Sequence, residues 1–171
     1  ESTSFLMQGS LMLYFYDVDP EYAEYLRKFD NKIPNIVYDN NRKFVCGITL
    51  TVDNCNFFAP ISSNTKPQKT CLLISDTTGH VLSSIKFGFM FPVPDSVLTE
   101  KDFNKIRETD SAYADLLEKE LRFCRSFEHE ITEKAKSIYS IGCNPKHFLY
   151  KNCCDFKLLK LKHDEWIENH K

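Results

Sequence analysis

The sequence predicts an α+β fold, in which a small barrel or a strongly bent antiparallel sheet packs against helices. Segments rich in β-branched and aromatic residues, separated by turn residues, occupy most of the first half of the 171-residue chain. One short helix is inserted after the first of these segments. The second half instead carries apolar residues at helical spacing. This order of elements favours the α+β class.

The first strand and the first helix are predicted from an apolar run followed by a helix start signal. Residues 11–18 have the composition of a strand. Residues 19–21 supply an N-cap aspartate, a proline for the first helical position and an early glutamate, so a helix is predicted over residues 20–29. Residues 30–43 lack periodicity and are predicted to form a long loop, a length typical of binding loops.

Two hairpins are predicted next, because paired strand-like runs flank short clusters of turn residues. Gly88 and the proline-containing segment 92–94 then end the strand region. In chain order, the predicted strands and turns are 44–52, 53–54, 56–61, 69–75, 76–79 and 81–91.

The second half of the chain is predicted to contain three helices. A short one begins at Thr99 as its N-cap. A long one spans residues 111–141 and is ended by Gly142 at the C′ position. The last covers residues 154–169.

Composition indicates a single domain over residues 11–171, with residues 1–10 a leader or an expression remnant. The chain is 42% hydrophobic and 27% charged, which is enough for one core, and it lacks an apolar run long enough to span a membrane. Its seven cysteines are odd in number and scattered, which predicts reduced thiols in a cytoplasmic protein. Their spacings match no usual zinc motif, and no metal or other cofactor is predicted.

The strand that ends near Pro60 is followed by a cluster of polar residues. Ser62, Ser63 and Lys66 lie within a few residues of each other, so two hydroxyls and an ammonium are predicted at the rim of the sheet. The same composition is also typical of an ordinary surface turn.

Positive charge is concentrated in the last part of a chain whose net charge is −2. Residues 134–162 hold seven lysines and a single acidic residue, Asp155. Aromatic residues and His147 are interleaved with them. This pattern is typical of a surface that binds phosphates, and equally of a solvated helix face.

Several motifs, taken in order and at their spacings, resemble the ToxN/AbiQ/CptN family of type III toxins. They are Tyr14-Phe15-Tyr16; Glu21-Tyr22-x-x-Tyr25-Leu26-x-x-Phe29-Asp30-x-Lys32-Ile33-Pro34-Asn35; Lys43-Phe44-Val45-x-Gly47-Ile48; Phe58-Ala59-Pro60-Ile61-Ser62-Ser63; and, more weakly, Ser84-Ile85-Lys86-Phe87-x-Phe89-Met90-Phe91-Pro92. The C-terminal helices fit the family in outline.

The resemblance implies a Kid/MazF-like fold, with a bent, barrel-like antiparallel sheet and packed helices. It also implies a bacterial endoribonuclease toxin that needs no metal and leaves a 2′,3′-cyclic phosphate. The family's catalytic hydroxyl pair corresponds to Ser62 and Ser63, and its active-site lysine to Lys43. A second family lysine corresponds to Lys66, one residue later than in the family pattern, so either lysine could be the principal cation.

The resemblance further implies RNA-binding residues and an RNA partner. Tyr22 matches a family tyrosine on the first helix, and Tyr38 falls near a loop tyrosine; their rings could stack on bases. The expected partner is a repetitive, pseudoknot-like RNA antitoxin, which the toxin processes and which inhibits it in a closed toxin–RNA assembly. Cellular or phage mRNA is the expected substrate. The basic residues expected to hold RNA are Lys134, Lys136, Lys146 and Lys151.

Two other function classes fit the same residues. A non-catalytic RNA-binding barrel would use the tyrosines and lysines without cutting RNA. A protein-interaction module would expose an apolar stripe on the last helix. Tyr22 could also simply complete the core while keeping its hydroxyl bonded.

Overall fold

A computed structural model describes residues 13–35 and 46–171, which form a sheet covered by helices. The strands are β1 (Tyr16–Val18), β2 (Gly47–Val52), β3 (Cys55–Ser62), β4 (Cys71–Ser75), β5 (Val81–Lys86), β6 (Phe91–Pro92) and β7 (Leu98–Glu100). The helices are α1 (Pro20–Arg27), α2 (Phe103–Thr109), α3 (Ser111–Ser126), α4 (Glu128–Gly142) and α5 (Phe156–Asn169).

The seven strands form one antiparallel sheet in the order β4-β5-β3-β2-β1-β7, and β6 also pairs with β3. One edge of β3 is therefore shared: Phe57 and Phe58 pair with β6, whereas Ile61 and Ser62 pair with β5. Within the described residues, the two end strands β4 and β7 do not pair with each other. The predicted α+β class is confirmed, but the sheet formed by the described residues is open and is not closed into a barrel.

The hairpin formed by β2 and β3 confirms the predicted turn at residues 53–54. Asp53 and Asn54 have φ angles of 50° and 58°, a left-handed pair that matches the twist of the flanking strands. The hairpin pairs from Val52–Cys55 back to Gly47–Pro60. Gly47 is needed there because the Phe58 ring occupies the space that a Cβ would take.

The helical half differs from the prediction in two places. Thr99 is part of β7, and the short helix α2 begins after Asp102, whose side chain accepts a hydrogen bond from Lys105 N at 3.1 Å. The long helix predicted over residues 111–141 is divided at Phe127 into α3 and α4. Helix α3 packs against β4 and β5, whereas α4 packs against β2 and the turn at Phe87–Phe89, so one straight helix would not reach both surfaces.

The core between β3 and the last two helices is aromatic. Phe57 contacts Tyr139 and Phe156 with ring centroids 5.7 and 6.0 Å away, and Phe57 and Phe156 are fully buried. Helix α4 ends at Gly142, close to the predicted position, but not because of a left-handed backbone. Glycine is needed because the Phe156 ring lies where a Cβ would be.

The ends of α1 and α5 are joined by a buried carboxylate. Asp30 accepts hydrogen bonds from Lys32 N at 3.0 Å and from Asp155 N at 2.7 Å. Asp155 in turn caps α5 by accepting from Leu158 N. None of the helices in the described part of the chain is both long and apolar enough to cross a membrane. All seven cysteines are free thiols.

Candidate active site

The polar residues predicted at the end of β3 lie on a loop that passes over a neighbouring strand. Ser62 is the last residue of β3 and pairs with Ser84 of β5. Because β5 lies between β3 and β4, residues 63–70 must cross β5 to reach Cys71, the first residue of β4. We call residues 63–70 the strand-end loop.

Asn64 holds the first turn of the strand-end loop. Its backbone N–H donates to the Ser62 hydroxyl at 3.2 Å, and its side-chain Oδ1 accepts from Lys66 N at 2.9 Å. Its carbonyl accepts from the hydroxyl of Ser84, a fully buried residue, at 2.7 Å. The loop is thus bonded to itself and to β5, although residues 63–69 are exposed.

Lys86 anchors the second half of the loop and was not among the residues predicted from the sequence. Its ammonium donates to Gln68 Oε1 at 3.0 Å, and the Cys71 thiol donates to the same oxygen at 3.3 Å. Lys86 is only 8% exposed. A strand alternates its side chains, so Ser84 and Lys86 lie on one face together with Ser62. The alternation within β5 was visible in the sequence, but the pairing of β5 with β3 was not.

Ser63 and Lys66 are both exposed on the strand-end loop. Within residues 13–35 and 46–171, no group hydrogen-bonds the Ser63 hydroxyl, and no carboxylate forms an ion pair with Lys66. Ser62 is half-buried and already accepts a hydrogen bond. The loop sequence itself contains no acidic residue.

Lys43 and Tyr38 lie outside the described residues. The ladder between β2 and β3 can be followed as far as Cys46, whose carbonyl accepts from Ile61 N at 2.8 Å. Cys46 is three positions after Lys43 in the chain. The described part of β2 therefore ends beside the last residues of β3.

Tyr22 does not offer a stacking face, and its predicted base-stacking role is wrong. The side chain is fully buried, with its hydroxyl donating to the Pro92 carbonyl. Its ring packs edge-on against Trp166, with centroids 5.2 Å apart. Burial raises the pKa of the phenol well above its ordinary value. Tyr22 instead completes the core, the alternative that the sequence left open.

The four lysines predicted to hold RNA fall into two groups. Lys134 and Lys136 lie on α4, where the Lys136 ammonium forms an ion pair with Glu133 Oε1 at 3.6 Å. Lys146 and Lys151 are exposed and lie between α4 and α5, in residues 143–155, which we call the connecting segment. On α5, Lys160 and Lys162 pair with carboxylates of the same helix. Much of the predicted positive charge is therefore neutralised locally.

The last helix does not display the continuous apolar stripe expected of a protein-interaction module. Phe156, Leu159 and Trp166 are buried in the core. The exposed apolar residues of α5 are Leu161 and Ile167, whose spacing of six places them on different sides of a helix.

One buried carboxylate lies on the other side of β5. Glu120 of α3 is 4% exposed and accepts a hydrogen bond from the Ser83 hydroxyl at 2.9 Å. Burial raises the pKa of Glu120, and the Ser83 hydrogen bond opposes that change. Because Ser83 and Ser84 are neighbours on a strand, Glu120 lies on the face opposite the strand-end loop.

Residues 14–163 match the family described as Toxin ToxN, type III toxin-antitoxin system. The chain belongs to the ToxN family. The family membership predicted from the sequence motifs is thereby confirmed, and the match includes the whole of the strand-end loop.

Curated ToxN relatives align along most of the chain. Endoribonuclease AbiQ of Lactococcus lactis subsp. lactis is 30% identical over 166 residues, covering 89% of this chain and 88% of AbiQ. Endoribonuclease ToxN of Pectobacterium atrosepticum is 27% identical over 164 residues, covering 89% and 92%. Endoribonuclease ToxN of Bacillus thuringiensis subsp. kurstaki is 26% identical, covering 90% and 84%. The predicted enzyme class is the class of all three relatives.

Solved structures of type III toxins share the ToxN fold described above. A toxin selectively inhibited by a non-coding RNA pseudoknot superposes with a TM-score of 0.83 at 23% identity, covering 91% of this chain and 98% of that chain. AbiQ, a lactococcal anti-phage endoribonuclease, superposes with a TM-score of 0.75 at 24% identity, covering 92% and 99%.

Proposed function

We propose that this ToxN-family endoribonuclease cleaves RNA at the strand-end loop, by attack of a 2′-hydroxyl on the adjacent phosphate. The products would carry a 2′,3′-cyclic phosphate and a 5′-hydroxyl. The observation that carries the proposal is that the Ser63 hydroxyl and the Lys66 ammonium are both exposed on one loop. The Asn64 side chain holds that loop by accepting a hydrogen bond from Lys66 N.

This reaction suits the groups that the loop provides. RNA supplies its own nucleophile, so the protein has to align the phosphate, move protons and stabilise the extra negative charge of the transition state. We assign the phosphate contact to Ser63, because Ser62 is half-buried and engaged by Asn64 N. Lys66, with Lys43, would neutralise the developing charge.

The proposal includes metal-independent cleavage. Divalent cations in nucleases are held chiefly by carboxylates. The strand-end loop offers hydroxyls, amides and ammonium groups and contains no acidic residue. Those groups can stabilise a phosphorane directly.

The proposed partner is an RNA antitoxin. Like the pseudoknot-inhibited toxin that it resembles in fold, this chain would be inhibited by a folded RNA, bound along Lys146 and Lys151 with its single-stranded end in the site. We propose that toxin and repeat RNA alternate in a closed assembly and that the toxin cuts the repetitive transcript into its repeats. Native mass spectrometry of the co-expressed complex would give its stoichiometry, and unequal numbers of toxin and RNA would contradict closure.

The test compares the parent chain with Ser63→Ala in cleavage of purified cellular RNA in EDTA. We expect the variant to cleave at least about 100-fold more slowly, the cost of losing one transition-state donor. Ser137→Ala, an exposed serine on α4, should cleave at the parent rate. Mass spectrometry of the fragments should identify cyclic-phosphate ends.

A second substrate tests the nucleophile. Once a cleavage site is mapped, an oligonucleotide with a single 2′-deoxy nucleotide at that site should resist cutting completely. Cleavage of that oligonucleotide would exclude 2′-hydroxyl attack. Equal rates for Ser63→Ala and the parent would exclude catalysis at this loop, and loss of cleavage in EDTA would contradict metal independence.

A further inference from the structure

The geometry points to a base-stacking platform beside the cleavage loop, formed by Phe148 on His147 with Lys69 next to it. We infer that it binds one unpaired base of single-stranded RNA. This inference rests on the proposed function, because it extends the same RNA-binding surface. It replaces the stacking role that the burial of Tyr22 rules out.

Phe148 is the most exposed large apolar side chain in the described part of the chain, at 66%. Its ring is nevertheless held in place, since it stacks on the His147 ring with centroids 4.9 Å apart and an interplanar angle of 19°. The His147 ring is fixed in turn, because its Nδ1 accepts a hydrogen bond from Leu149 N at 3.0 Å. A rigid aromatic ring open to water has the properties of a site for a nucleobase.

Lys69 connects this ring to the candidate active site. Its ammonium lies 4.9 Å from the centroid of the Phe148 ring, and Lys69 belongs to the same strand-end loop as Ser63. An exposed cation–π contact is weaker than base–aromatic stacking. An arriving base can therefore displace the ammonium, which is then free to contact a phosphate of the same strand.

The connecting segment is anchored to the turn at Phe87–Phe89, which follows β5. Cys154 N donates to the Gly88 carbonyl at 2.8 Å. A Cβ on Gly88 would lie 2.6 Å from the Asn152 carbonyl and 3.4 Å from Thr70 Cβ, so the segment and the loop meet at this glycine. Phe148 lies on the connecting segment and Ser63 on the strand-end loop, and both segments contact Gly88.

The charges around the ring favour RNA over a protein partner. Lys146 and Lys151 lie on either side of Phe148 in the sequence, and the loop adds Lys66 and Lys69. The strand-end loop contains no acidic residue, and the acidic residue of the connecting segment is Asp155, whose side chain caps α5. Lysines interleaved with an exposed aromatic ring are typical of single-stranded nucleic-acid sites.

The first experiment measures binding of a linear single-stranded RNA in a Ser63→Ala background, which prevents cutting. Phe148→Leu keeps an apolar side chain but removes the aromatic face, and we expect its Kd to rise about 5- to 150-fold. Phe148→Tyr should bind within about twofold of the parent. Phe127→Leu, a 43% exposed phenylalanine at the junction of α3 and α4, is the matched control and should not change Kd.

The second experiment is a double-mutant cycle between Phe148 and single nucleotides of the RNA. If Phe148 had only a structural role, its replacement would not couple to any one nucleotide. Abasic nucleotides are introduced one position at a time. One abasic position should weaken binding to the Phe148-containing protein and have no further effect on Phe148→Leu. The cycle is repeated with the same RNA sequence as the single-stranded tail of a hairpin. Coupling with the hairpin tail indicates the end of a folded antitoxin, and coupling with the linear RNA indicates a substrate strand. The coupling supports the platform in either arm.

The outcomes distinguish this inference from the proposed function. If the parent cuts RNA but Phe148→Leu binds every RNA as tightly as the protein with Phe148, the platform is overturned and the nuclease proposal is supported. The platform is also overturned if no abasic position couples to Phe148. A weaker Kd for Phe148→Leu would then reflect only a lost contact within the protein. If the chain with Ser63 intact makes no cuts yet the coupling is present, the platform stands and the nuclease proposal fails.

Discussion

The strand-end loop and the interface between α1 and α5 both contain hydroxyl groups, but the loop exposes its hydroxyl to solvent and the interface buries its hydroxyl in the core. In the loop, the Ser63 hydroxyl and the Lys66 ammonium face solvent while backbone and amide groups hold the loop. In the interface, the Tyr22 hydroxyl is bonded inside the core and its ring packs on Trp166. We call Tyr22, Tyr25 and Trp166 the aromatic interface. Burial, rather than residue type, decides which of these groups is open to a ligand.

The difference has a physical cause in how each group is satisfied. A buried hydroxyl must find a hydrogen-bond partner, and once bonded it is unavailable to a ligand. A loop hydroxyl is hydrated and can exchange water for a phosphate. We therefore expect changes in the aromatic interface to alter stability and changes in the loop to alter cleavage.

The largest effect is expected from Tyr22→Ala. It removes a fully buried ring, so the free energy of unfolding should fall by about 3–5 kcal/mol in urea denaturation. Tyr22→Phe keeps the ring but leaves the Pro92 carbonyl without its donor, and should cost about 1–3 kcal/mol. Cleavage per folded molecule should be unchanged in Tyr22→Phe. A specific loss of cleavage without a loss of stability would break the comparison.

Gly142→Ala tests the core on the other side of the molecule. The new methyl would meet the Phe156 ring, which is fully buried and has little room to move. We expect the free energy of unfolding to fall by about 1–3 kcal/mol, measured by thermal or urea unfolding. Ser140→Ala, an exposed position on the same helix, should change it by less than about 0.5 kcal/mol. Equal stabilities for the two variants would show that the helix end can shift.

Asn64→Ala tests whether the loop must be held for catalysis. It removes the hydrogen bond from Lys66 N and leaves the backbone bonds of Asn64 in place. We expect cleavage to slow about five- to tenfold, equivalent to one ordinary hydrogen bond of about 1 kcal/mol, with almost no change in unfolding. Thr65→Ala, the exposed neighbour, should cleave normally. Cleavage at the parent rate in Asn64→Ala would mean that this turn needs no such support.

The smallest expected effect is a pH dependence of stability at Glu120, whose burial cost is partly offset by Ser83. Burial raises the pKa of Glu120 above its ordinary value, so its contribution to stability is fully present below the pKa of the unfolded chain. That contribution is lost as the pH rises through the folded-state pKa. Glu120→Gln should therefore gain stability relative to the parent as the pH rises above about 4, the ordinary pKa of a glutamate. An equal pH dependence for both proteins in urea unfolding would show that Glu120 does not titrate differently in the folded state.

Local chemistry predicted the elements that depend on a few neighbouring residues. The cap at Asp19 and the turn at Asp53 and Asn54 follow from local conformational preferences. The division at Phe127 was missed, because no proline or glycine marks it in the sequence. The packing surfaces of α3 and α4 impose it instead.

The candidate site was predictable only in part, for the same reason. The order of motifs in the sequence was enough to identify the family and to single out Ser62, Ser63 and Lys66. The sequence could not distinguish the buried ring of Tyr22 from the exposed ring of Phe148, nor show Lys86 beneath the loop. Which face of an element meets the core depends on contacts between residues far apart in the chain, such as Tyr22 with Pro92 and Trp166. Sequence chemistry thus determined which groups this protein possesses, and the tertiary structure decided which of them face solvent and are open to a ligand.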